Sequence, residues 1–106
     1  MSAPAVAWLA AYAGPVPPQL AARMRQAADH EDAGTGIAAD LGAAALRCLG
    51  AAVPLGEQRA GALPLLAADA LITCACEAAA EQGDLAAVWA LFAPEHLAAR
   101  AGLAGE

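Results

Sequence analysis

Between Leu63 and Gln82 the chain runs for twenty residues with no glycine and with its one proline, Pro64, in the first turn. Nothing in that stretch interrupts a helix, and Ala, the strongest helix former, recurs throughout it. At 1.5 Å per residue such a helix is about 30 Å long, the width of a small domain. In a chain of 106 residues everything else must pack around it. Leu63, Leu66, Ala67, Ala70, Leu71 and Cys74, with Leu65, Ile72 and Cys76 beside them, cover far more than one stripe. A helix apolar nearly all round is expected at the centre of a bundle.

The material for the core is unusual. Hydrophobic residues make up 60% of the chain, but 35 of them are Ala and only 26 are large. Burying Ala removes little apolar area from water, whereas a large aliphatic side chain contributes about 1.5–3 kcal/mol. Close helix packing has to make up the difference. Alanine has no side-chain entropy to lose in a helix, so the same composition favours helices at every position.

Proline and glycine then divide the chain. Ser2 is placed to cap a first helix with Pro4 in its first turn, and Gly14-Pro15 ends it. In that helix Trp8 and Tyr12 lie four apart and share a face, with Val6, Leu9 and Ala13 as a neighbouring apolar stripe. Gly14-Pro15-Val16-Pro17-Pro18 is a rigid elbow, because its prolines remove donors and force extended geometry before them. Pro18 opens a second helix with Leu20, Met24, Ala27 and Ala28 inward, ending near Asp29-His30-Glu31-Asp32. After Gly34-Thr35-Gly36, with Thr35 or Asp32 as cap, a third helix carries Ile37, Leu41, Ala44, Ala45, Cys48 and Leu49 at buried-stripe spacing.

Val53 to Arg59, with Pro54 and Gly56, reads as a loop before the central helix. Gly83 ends that helix and Asp84 is placed to cap a fifth, in which Leu85, Val88, Trp89 and Phe92 follow the i, i+3, i+4, i+7 rule. Pro94 begins a last short helix with His96, Leu97 and Arg100. No segment alternates with the period of a strand and no repeat is visible. The expected fold is all-α, a single domain over residues 1–106, with five to six helices bundled around the long one at 63–82.

The formal charge is −6 and the five basic residues, all Arg, are scattered. Nucleic-acid binding needs a basic stripe to displace counterions from phosphates, so a DNA-binding regulator is disfavoured. The start of the chain has no basic region before its apolar residues, so no secretory signal is expected. The stretch Ala62 to Ala80 is long enough to span a bilayer but carries Asp69 and Glu77, each costing a few kcal/mol in hydrocarbon. A buried bundle helix, no membrane partner and a cytoplasmic location are the expectations. Cys48, Cys74 and Cys76 are then read as buried, reduced thiols.

Asp69, Thr73, Glu77 and Glu81 are spaced by four on the central helix and drift by about 40° per step, forming one acidic stripe on an apolar cylinder. In one reading the stripe is the solvated face of the helix. In the other Asp69 lies inside the bundle, where a buried carboxylate needs a partner such as Arg47, a ligand or a metal.

Zinc is not expected, because Cys74 and Cys76 point about 160° apart on a helix and neither His30 nor His96 follows a Glu by three residues. No serine or threonine sits on an activating motif, and Gly34-Thr35-Gly36 follows no strand. No cofactor and no metal are therefore expected.

The run Leu65-Leu66-Ala67-Ala68-Asp69-Ala70-Leu71, followed by Glu77, resembles the LLAGDALL helix of polyprenyl diphosphate synthases over 13 of 106 residues. The paired Asp-Asp-x-x-Asp motifs that hold magnesium diphosphate in that family are missing here, so the resemblance implies no such activity.

Two functions fit these residues. The first is a non-enzymatic helical protein–protein interaction module, a homo-oligomer or small accessory subunit, because large apolar residues lie on more faces than a few short helices can hide. The alternative is a small-molecule-binding or catalytic bundle whose pocket uses Trp8, Tyr12, Trp89 and Phe92, with Asp69, Thr73 and Glu77 supplying its polar side.

Overall fold

The computed structural model describes residues 2–12, 16–28, 36–95 and 98. Among the described residues five α-helices follow one another: α1 (Ala3–Tyr12), α2 (Pro18–Ala28), α3 (Ile37–Ala52), α4 (Ala62–Gln82) and α5 (Leu85–Leu91). No strand occurs among the described residues. The all-α reading is thus the observed one, and the long helix begins one residue earlier than expected. The radius of gyration, 13.1 Å, is close to the ~13 Å of a compact chain of this length.

The centre of the molecule is the α3–α4 hairpin, and α1, α2 and α5 all lean on it. Its buried surface is mostly small: Ala44, Ala45 and Cys48 on α3 face Ala67, Ala68, Cys74, Ala75, Ala78 and Ala79 on α4. Small side chains let the two backbones approach closely, so dispersion replaces the area that large residues would bury. Leu41, Leu71 and Met24 are the largest apolar side chains fully withdrawn from water.

The helix ends explain the boundaries. The Ser2 hydroxyl accepts the Ala5 amide at 3.4 Å and starts α1. Pro17 and Pro18 start α2, and its last turn is closed by Arg47 from α3, whose Nε and Nη2 donate to the Ala27 carbonyl at 3.1 and 2.6 Å. Gly36 stands before α3 at φ 143°, a backbone angle that favours glycine. Asp32 and Thr35, read as caps, lie outside the described residues, as do Ala13, Gly14, Pro15, the 29–32 cluster, His96, Leu97 and Arg100. The expected loop after α3 contains two 3₁₀ turns, Val53–Leu55 and Arg59–Gly61. Gly83, at φ 69°, ends α4 by donating to Ala80, while the Asp84 amide donates to Ala79 at 2.8 Å. This paired closure uses the Asp84 backbone to finish α4; its side chain makes no cap bond to α5, contrary to expectation.

Two burial expectations are corrected. Of the α5 stripe, Val88 is buried and Phe92 half-buried, but Leu85 and Trp89 face outward. With only two turns, α5 can present one narrow strip to the hairpin. Its end closes on α3 at Gly42, where a Cβ would come within 2.7 Å of Leu91 Cδ1 and 3.7 Å of the Phe92 ring. Likewise α4 is not buried all round, because Leu65, Leu66 and Cys76 are exposed and only Cys48 and Cys74 are buried thiols.

Candidate functional site

The acidic stripe lies on the water side of α4: Asp69, Thr73, Glu77 and Glu81 are all exposed. Residues four apart share a face, and the buried core positions of the helix, Leu71, Cys74, Ala75, Ala78 and Ala79, lie off that line. Asp69 does not enter the bundle and does not meet Arg47, which reaches the end of α2 instead. Thr73 turns back along its own helix, its hydroxyl donating to the Asp69 carbonyl at 3.1 Å.

The second half of the stripe is where part of the expected site comes together. Trp8 and Tyr12 stack with ring centroids 5.2 Å apart and planes 14° from parallel. Trp8 Nε1 donates to Glu81 Oε1 at 2.7 Å and the Tyr12 hydroxyl donates to Glu77 Oε1 at 3.2 Å. Partial loss of hydration, then the bond to Glu77 and its charge, push the Tyr12 phenol above its ordinary pKa. The polar ends of both rings are thereby matched to carboxylates, and the four side chains clasp α1 to α4. Trp89 and Phe92 take no part in this cluster: Phe92 packs on α3 near Gly42 and Trp89 is 82% exposed. The expected pocket of four aromatics around an acidic anchor is not formed among the described residues.

Because the stripe is solvated, Asp69→Ala is expected to change stability by less than about 0.5 kcal/mol. Chemical denaturation of the two proteins checks this, and a loss of several kcal/mol would require a buried, paired carboxylate.

Two features were missed in the sequence. The first is Asp40, 2% exposed, whose Oδ2 accepts the Ser2 amide at 2.9 Å. Its spacing carried the signal, since Asp40 is three after Ile37 and four before Ala44 and so lies on the buried stripe of α3. The second is an open groove of about 420 Å³ where α3 ends and α4 begins, lined by Leu49, Leu65, Leu66, Ala68, Asp69 and Ile72. Its lining was legible only as generic helix core, because which apolar residues remain uncovered depends on where the other helices stop.

The chemistry available in the interior is quiet. Burial, reinforced by the charge of Glu77, pushes the Cys74 thiol up to about 11, and burial also raises Cys48 despite Arg23 and Arg47. Both stay protonated, and a protonated thiol is a poor nucleophile. Among the described residues no three His, Cys, Asp or Glu side chains gather as a metal-holding group.

Compared with known protein families, curated proteins and solved structures, the chain matches none.

Proposed function

We propose that the chain is a non-enzymatic helical interaction module that assembles through apolar side chains, as a homo-oligomer or a small accessory subunit. The observation that carries this reading is the outer face of α5. Trp89 is 82% exposed and Leu85, one turn before it, is 58% exposed. Residues four apart share a helix face, so a large aromatic and a large aliphatic side chain stand together in water. Scattered exposed apolar residues are ordinary, but Trp is among the residues most enriched at the energetic centres of interfaces, and Leu85 extends the apolar surface beside it. Val6 on α1 and Leu65 and Leu66 on α4 add further exposed apolar surface.

The residues that might have supplied chemistry are otherwise engaged. Glu77 and Glu81 are bonded to α1, and Cys48 and Cys74 are buried and protonated. Two stretches, Ile37–Leu55 and Arg59–Gln82, are long and apolar enough to cross a membrane. Their buried faces form the contact between α3 and α4, which supports the reading of both as the core of a bundle rather than as spans.

Sedimentation velocity tests the proposal. The wild-type chain is expected to associate at high micromolar concentration, more strongly as salt screens its charge of −6. The Leu85→Ala, Trp89→Ala double variant should remain monomeric with an unchanged helical spectrum. A wild-type chain that stays strictly monomeric would rule out the homo-oligomer and leave only the accessory-subunit form.

A further inference from the structure

The α5 face and the groove are complementary in chemistry and lie at different ends of the hairpin. The groove sits between the last turns of α3 and the first turns of α4, whereas α5 follows the end of α4 and closes on α3 at Gly42. The groove walls are Leu49, Leu65, Leu66 and Ile72, with the exposed Asp69 as the one charged lining residue. The α5 face has the converse character. Trp89 is an apolar body with one donor, its indole N–H, which has no acceptor among the described residues. The Asp69 carboxylate receives no hydrogen bond among them either. The chain already contains the same indole-to-carboxylate pairing, since Trp8 Nε1 donates to Glu81 on the same α4 stripe at 2.7 Å. The volume of about 420 Å³ accommodates an aromatic ring with an aliphatic neighbour.

We propose that Trp89, with Leu85 beside it, seats in the groove of a second copy of the chain, its indole N–H donating to that copy's Asp69. The proposal rests on the self-association reading above and specifies its contact. A knob and a groove at different places make the contact heterologous, so it propagates head to tail and does not close as a two-fold dimer unless a ring forms. One Trp and one Leu bury less than the ~1,200 Å² of a stable interface, so the contact is weak and reversible.

The experiment separates knob from groove. Trp89→Ala removes the knob and keeps the groove; Leu66→Arg keeps the knob and fills the groove, its guanidinium one turn from Asp69. Both positions are exposed, and far-UV circular dichroism verifies that each variant folds. In sedimentation velocity each variant alone is expected to be monomeric, its association weakened at least about tenfold. Mixed in equal amounts they should form a dimer that grows no further, because one intact knob meets one intact groove. Asp69→Ala should weaken wild-type association severalfold with no change in stability.

If the wild type associates but Leu66→Arg associates equally well, or the mixture stays monomeric, the groove contact is overturned while self-association through α5 survives. If Trp89→Ala associates like the wild type, the knob is overturned. A monomeric wild type overturns both the contact and the self-association reading. A shift of tryptophan emission on added phosphatidylcholine vesicles that is lost in Trp89→Ala would then assign the face to lipid, and no shift would leave it to a different protein.

Discussion

Replacing Leu71 by Ala is expected to lower the free energy of unfolding by about 2–5 kcal/mol. Leu71 on α4 and Leu41 on α3 are fully buried in the central cluster, most of whose buried members are Ala. Alanine cannot change rotamer to fill a void, so the space left by a deleted isobutyl group persists and its cavity cost is retained. The total stability of a small domain is about 5–15 kcal/mol. Loss of Leu71 or Leu41 therefore removes a large share of it. Urea denaturation reads the effect as a fall in midpoint with the slope maintained. Leu65→Ala is the control: more than half of Leu65 is exposed, so its replacement should cost less than about 1 kcal/mol. Equal losses at positions 65 and 71 would show that the hairpin interior is not where the stability resides.

Stability is also expected to fall between about pH 9 and pH 11, by about 2 kcal/mol from Cys74. In the unfolded chain this thiol ionises near its ordinary value of 9.0, whereas in the folded chain burial and Glu77 hold it protonated up to about 11. In that window the unfolded state binds fewer protons than the folded state, so raising the pH favours unfolding. The contribution is fully present below pH 9 and is lost as pH rises through the folded value. Cys48 and Tyr12, both raised, act in the same direction. Cys74→Ala should flatten the alkaline limb in part, leaving the portion due to those two groups. Thermal unfolding followed across the range tests this, and an alkaline limb unchanged in Cys74→Ala would remove Cys74 as its source.

The acidic stripe shows how far periodicity reaches. A spacing of four places Asp69, Thr73, Glu77 and Glu81 on one line of α4 whatever surrounds it, and they are on one line. Periodicity cannot say what lies opposite. Glu77 and Glu81 meet Tyr12 and Trp8, separated from them by 65 and 73 residues in the chain, while Asp69 borders a groove. The same limit produced the misreading of α5. Leu85, Val88, Trp89 and Phe92 have the spacing of a buried stripe, yet the arc that two turns can cover is narrow, and Trp89 falls outside it.

What the residues decided by themselves was local. Alanine content, the absence of strand periodicity, and the positions of Pro4, Pro18, Pro64 and Gly83 determined that the chain is helical and where its helices start and stop, because propensity and backbone geometry act within one or two turns. The tertiary structure alone decided which apolar faces are used. It buried Asp40 against Ser2, sent Arg47 to the end of α2, and left Trp89 exposed on the surface of the chain. Those outcomes depend on which helices meet, and in a core built largely of Ala, helix approach is set by the fit of backbones rather than by the identity of a few large side chains.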